Sequence, residues 1–476
     1  SASETDWNCN MNRIRFIIIL GLVFSLVVPQ YNTPAQDETP AGPIYIVQSG
    51  DNLTLIASRF GISANDLISA NQIENANNLK IGDELVIPGL QGVEGYLVTQ
   101  TVGFGDTLQQ LSSQNNVALD LLVKLNHLTS PAELYAGVNL VIPQPADAEQ
   151  EPQRGMASNG MSMLEYAILA GASPWTIKSQ NDLQGDWDLL PGETYSLPSA
   201  GDHPSVLPVS PFDQIEISPL PMVQGKTTVI KIKSQPDTVY GGSLTGHDLA
   251  FFSDGEGTDI SLQGIYAMQE PGIYPLLITA TTADGTKVQA EKMVVIQDGY
   301  YSQDPVLVVE YSFIDPAVTE PELEWLTGVT SQYTPEKLWD GKWISPSPYS
   351  YQECLNSKYG NRRSYNGGPY DNFHTGVDFC GGDGVQILAP AAGRVVFAGE
   401  KTVRGNATII DHGWGIYTGY WHQSAIYVKE GDMVQPGDII GLVGGTGRVT
   451  GAHLHFEVWA GGVQVQPIDW LEKVYP

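Results

Sequence analysis

Along the first two hundred positions, apolar residues switch between two periods in a fixed order. "IYIVQ", from Ile44, reads as a strand. Gly50-Asp51 then turns into a helix carrying Leu53, Ile56, Ala57 and Phe60, and Gly61 stops it. Ser63 with Asp66 resembles a capping box opening a second helix with Leu67 and Ile68. "DELVIP" returns as a strand ended by Pro88. The unit recurs. Asn71, Asn126 and Asn181 lie 55 residues apart, as do Gly82, Gly137 and Gly192, and Pro88, Pro143 and Pro198.

From about Ile215 to Gln297 the period falls to two, in "TTVIKIKS", "DLAFFSD" and "ISLQGIYAM". Short strands between Gly, Asp and Pro turns predict an immunoglobulin-like sandwich over residues 206–297, with no evident chemistry. Residues 298–350 read as a connector. Thr319 and Glu322 around Pro321 suggest a helix start, and Thr334-Pro335 a short turn. Trp325, Trp339 and Trp343 are expected to pack this connector onto a neighbour. In the final segment, 351–476, "GAHLHFEVW" alternates His453 and His455 with Leu454 and Phe456. An extended chain puts both imidazoles on one face.

The repeats resemble the LysM module. The matching stretches are "YIVQSGDNLTLIASRFG", Asn71 and "LKIGDELVIP" in the first copy, 44–89, and "GDTLQQLSSQNNV" and "LYAGVNLVIP" in the second, 95–144. The resemblance implies a groove for the N-acetylglucosamine backbone of peptidoglycan or chitin. It would lie at Gly50, Asp51 and Leu53 in one copy and at Gly105, Asp106 and Leu108 in the next. The third copy, 161–199, is degenerate, without an opening strand or Gly-Asp turn. Residues 145–160, polar and Pro-containing, read as a linker.

Charge narrows the partners. Of 476 residues, 53 are acidic and 23 basic, a formal charge of −30. Such a chain repels nucleic acid and anionic membrane surfaces. "MNRIRFIIILGLVFSLVV" places Arg13 and Arg15 before an apolar run, and Thr33-Pro34-Ala35 offers small residues for cleavage. This layout predicts a signal peptide over 1–35 starting at Met11, with an uncleaved membrane anchor as the alternative. The protein is then secreted or in the cell envelope. Export makes the two later cysteines, Cys354 and Cys380, a disulfide pair.

Five of the eight histidines fall between His374 and His455. In "HTGVDF", His374 and Asp378 would stand about 13 Å apart on a straight strand. The chain must bend for them to share an ion, and Gly376 is where it can. One histidine of the later pair supplies a third ligand. Three protein ligands with an open position suit a catalytic zinc site. Neighbouring histidines would then serve as base or donor.

At this point the sequence resembles the lysostaphin/LytM-type zinc endopeptidases, whose domain is a small β-rich, barrel-like duplicated hybrid motif. The matching pieces are "YGNRRSYN", "FHTGVDF", "GRVVFAG", "IIDHGWGIYTGYWHQ" and "VKEGDMVQPGDIIGLVGGTGRVTGAHLHFEVW". The resemblance implies His374, Asp378 and His455 as ligands of one Zn2+ per chain. It implies His453 as the base that activates water and His422 as an aid to transition-state stabilisation. Arg362 would contact substrate in the cleft, and His412 would line the groove or support it. The expected protein is multidomain: α+β LysM repeats, an all-β sandwich and an all-β zinc peptidase acting on peptidoglycan peptides. The rivals are an inert wall-binding regulator of other hydrolases and an iron oxygenase with two histidines and one carboxylate.

Overall fold

The computed structural model describes residues 42–48, 51–75, 78–90, 93, 95–130, 133–144, 154–157, 160–170, 172–190, 192–197, 212, 215–233 and 235–476. The expected signal segment lies outside them, and so does Gly50. Among the described residues no helix is long and apolar enough to cross a membrane.

The 55-residue spacing has a bonding cause. Asn71, Asn126 and Asn181 each cap a second helix and reach a closing strand. Their Nδ2 atoms donate to the carbonyls of Leu67, Leu122 and Ile177 at 2.8–2.9 Å, and to Val86, Val141 and Ser196 at 2.8 Å. Their Oδ1 atoms accept the strand N–H at 2.6–2.7 Å. One carboxamide thus makes three bonds to the backbone, tying the helix end to the strand. Gly82, Gly137 and Gly192 all have φ between 77° and 95°, the left-handed region that favours glycine.

The first repeat runs Ile44–Ile46, helices Leu53–Arg59 and Ala64–Ala70, then Glu84–Val86. The second runs Tyr96–Thr101, Leu108–Gln114, Leu119–Leu125 and Asn139–Gln144, and its opening strand pairs in parallel with that of the first. The third differs from expectation. Arg154–Met156, inside the stretch read as linker, is an opening strand pairing antiparallel with Thr194–Ser196. Its neighbours are too polar to announce it, and the pairing supplies what the local pattern lacks.

Residues 215–297 form two antiparallel-rich sheets, one of five strands and one of four, whose facing side chains share a core that includes Ile230, Ile232, Leu276, Ile278 and Val294. The opposite face of the smaller sheet docks on the C-terminal domain. Ile260 and Leu262 join its core, Trp470 Nε1 donates to Thr227 Oγ1 at 3.1 Å, and Lys226 pairs with Asp469 at 2.8 Å. In the connector the helix starts earlier than Thr319. It spans Pro316–Thr330, because Asp315 caps it by accepting from Ala317 N–H and proline fits its first position. Trp339 and Trp343 are buried, and Trp325 packs on Phe397 at 4.7 Å.

The C-terminal domain is built on a ten-stranded sheet. Its central strand Leu454–Ala460 is flanked by Val377–Phe379 and Ile416–Ile426. Leu454, Phe456 and Val458 point into the core and are wholly buried. The Cys354–Cys380 disulfide forms beside the pairing of Leu355 with Phe379.

Candidate active site

Cross-strand register creates the site. Asp378 lies directly opposite His455 in an antiparallel pair, so their side chains leave the same face. His374 arrives from the preceding loop after a bend at Gly376. Glycine is needed there for close approach: a Cβ would run into the Phe456 carbonyl oxygen and stand 2.8 Å from His455 Nε2. Gly376→Ala is expected to cost about 1–3 kcal/mol by overpacking. A thermal melt unchanged from the parent would refute that constraint.

Three atoms converge: His374 Nε2 to Asp378 Oδ1 at 3.0 Å, His374 Nε2 to His455 Nδ1 at 3.0 Å, and His455 Nδ1 to Asp378 Oδ1 at 2.8 Å. The outer partners set the tautomers. His374 Nδ1 faces the Lys358 carbonyl at 2.9 Å, which only accepts, so Nε2 turns a lone pair inward. His455 Nε2 faces the Glu457 carboxylate at 2.9 Å, so its Nδ1 does likewise. Three lone pairs then share one point, and a cation satisfies all of them. Tetrahedral zinc, with Zn–N of about 2.0–2.1 Å, needs ligand edges near 3.3 Å. The donor set fits.

Electrostatics agrees. Burial holds His374 below the usual imidazole range despite Asp378. Burial opposes charge on Asp378, but the imidazoles of His374, His453 and His455 around it hold its carboxyl well below the usual range. On His455 burial is outweighed by Asp378 and Glu457, which raise it. Burial would lift Glu457, yet its bond with His455 and the Arg404 charge bring it down to about 2.

Residues 372–467 match the model of Peptidase family M23, and residues 45–88 and 101–143 match the LysM domain. The C-terminal domain is an M23 domain. Over 96 residues it is 44% identical to the DD-carboxypeptidase/endopeptidase Mpg of Neisseria meningitidis, covering 20% of this chain and 22% of that one. Over 103 residues it is 43% identical to the peptidoglycan DD-endopeptidase ShyA of Vibrio cholerae, covering 22% and 23%. The chain thus spans under a quarter of the length of these relatives. Lysostaphin of Staphylococcus simulans is 30% identical over 27% of this chain and 53% of its own, at a TM-score of 0.23.

Two further histidines stand at the M23 cluster. His453 Nε2 lies 3.5 Å from Asp378 Oδ1, while its Nδ1 donates to the Gly451 carbonyl at 2.8 Å. The His422 ring centroid is 5.1 Å from that of His453, and its Nδ1 donates to the Thr446 carbonyl at 2.8 Å. His422 has φ of 65°, unusual for a side-chain-bearing residue. It sits at a bulge: three steps from Gln423 to Tyr420 face two from Asn406 to Thr408. Burial, with His455 and His453 nearby, brings its pKa down to about 3.

Several expected residues fall elsewhere. His412 does not line a groove. It is wholly buried, bonded to the Ala392 carbonyl and Thr418 Oγ1 at 2.8 Å each, with Trp343 at 4.8 Å. Arg362 is turned away, donating to the Ala267 carbonyl at 2.7 Å. Its neighbour on the strand Arg362–Arg363 leaves the opposite face. Arg363 reaches Asp378 Oδ2 at 3.5 Å and Asp304 at 3.2 Å. Asp51 is spent on Tyr45, Gln48 and Arg59, and Leu53 is core. The Gly105 carbonyl is taken by Thr194 N–H at 2.8 Å. Asp106 caps its own turn through Gly103 N–H, and Leu108 is largely core; both still border a cavity.

Glu457 was missed, although it continues the alternation of His453 and His455. It binds His455, Trp421 Nε1 at 2.9 Å and Thr375 Oγ1 at 2.7 Å. Such an outer carboxylate orients its imidazole. Glu457→Gln is expected to weaken zinc affinity about 10–100-fold, read by competition with a chromophoric chelator.

Proposed function

We propose that the chain is an exported zinc endopeptidase that hydrolyses amide bonds in peptidoglycan stem or cross-bridge peptides. Its LysM modules hold it to wall glycan, and residues 206–297 are an immunoglobulin-like spacer. The observation that carries this reading is the triangle of His374, Asp378 and His455 lone pairs inside an M23 domain. The DD-endopeptidase activity named for the Vibrio relative is its finer form.

His374, Asp378 and His455 would hold the ion. When bound, it supplies Lewis acidity toward a carbonyl and lowers the pKa of coordinated water to about 7. With Nδ1–H engaged by Gly451, His453 keeps an Nε2 lone pair facing the cluster, which suits a base. With Nδ1–H given to Thr446, His422 also presents a bare Nε2, so it donates to an oxyanion only after taking a proton. Arg363 and Glu457 position the ligands.

Purified peptidoglycan digested with the protein should yield fragments with new amine ends within stem or bridge peptides, identified by mass spectrometry. Chelation should stop this and zinc restore it. Cleavage confined to glycan bonds would overturn the proposal.

A further inference from the structure

His422 holds a backbone conformation that its own strand does not enforce. At the bulge the ladder to Gly405–Gly413 skips it, and its φ of 65° persists only if neighbours fix it from outside. Two bonds do so. Its backbone N–H donates to the Arg404 carbonyl at 2.9 Å. Its ring Nδ1–H goes to the Thr446 carbonyl, and the Thr446 hydroxyl oxygen in turn accepts from Asn406 N–H at 2.9 Å. The turn 402–404, between the strands Gly393–Lys401 and Gly405–Gly413, therefore carries one partner of His422 and leads straight into the residue that braces the other.

What grips this turn lies outside the residues that match the M23 model. Glu322, on the connector helix Pro316–Thr330, is 8% exposed. Its Oε2 accepts from Val403 N–H at 2.9 Å. Its Oε1 accepts from Arg404 N–H at 3.1 Å and from the Arg404 guanidinium at 2.8 Å. The Val403 carbonyl is held from the other side by Arg448 N–H at 2.8 Å. An apolar side chain could pack the helix here without the desolvation cost that a buried carboxylate carries. The use of the carboxylate is the three donors, and all three belong to the turn.

We propose that Glu322 is a positioning residue for the peptidase reaction: it locks the 402–404 turn, and the turn holds the His422 imidazole beside His453. The proposal rests on the reading of the chain as a zinc endopeptidase. It makes the connector helix part of the frame of the reaction centre.

Steady-state kinetics of the full chain on a cross-linked stem peptide tests it, with zinc measured on the same samples. Glu322→Ala removes the acceptor. Glu322→Gln keeps the side chain's size, should the first variant not fold, but turns an N–H toward groups that need an acceptor. Each should lower kcat about 10–100-fold, the scale of a misplaced reacting group. KM should stay within about twofold of the parent's, and zinc at the parent's level. In a His422→Ala background the same substitutions should cost less than about twofold further, because the group they aim is gone. A role confined to holding the fold costs the same factor in both backgrounds, and that result overturns the proposal. Zinc loss from either variant overturns it too. Parental kcat in either variant overturns it and leaves the endopeptidase reading standing, whereas a parent that cuts no wall peptide removes both.

Discussion

Asp378→Ala is expected to empty the M23 centre and reduce turnover of a cross-linked stem peptide to background. Asp378 supplies the single negative ligand and touches both other donors, at 3.0 and 2.8 Å. Without it, two imidazole nitrogens 3.0 Å apart turn lone pairs toward each other with no carboxylate to balance an ion. Losing even about 4 kcal/mol of transition-state stabilisation is a thousandfold in rate. Elemental analysis should find the variant without zinc and the parent with one ion per chain. Peptide cleavage surviving in metal-free Asp378→Ala would refute the proposed chemistry.

His453→Ala should separate base from ligand. Its ring stands beside the cluster, with Nε2 3.5 Å from Asp378 Oδ1, but outside the converging triangle. The variant should therefore keep its zinc while kcat falls about 10²–10⁴-fold, the usual worth of a general base. A KM close to the parent's would place the loss in chemistry rather than binding. Zinc loss in this variant would make His453 a ligand, and turnover within a few-fold of the parent would give the base role to another group, with His422 the nearest.

The domain docking also bears on the modular picture. The middle sheets do more than separate the modules as a spacer, since Ile260, Leu262, Thr227 and Lys226 are built into the C-terminal domain's packing. The same sheets hold the second repeat through Ala136. None of these contacts has a periodic signature, because docking surfaces are composed from residues far apart in the chain.

By itself the sequence determined the local chemistry. The 55-residue step of asparagine, glycine and proline defined the repeats, since each repeat satisfies the same backbone groups in the same way. Alternation in "HLHFEVW" placed His453 and His455 on one face and Leu454 and Phe456 in the core, because a strand has period two. Only the tertiary structure decided which neighbours meet that face. Register put Asp378 opposite His455, a bulge aimed His422, and the one-residue offset between Arg362 and Arg363 chose which guanidinium reaches the centre. Pairing with Thr194–Ser196 likewise made a strand of Arg154–Met156, where the local pattern read as linker. Periodicity says which way a side chain leaves its own strand, but convergence at a point depends on how separate strands align, and that is settled by packing across the whole sheet.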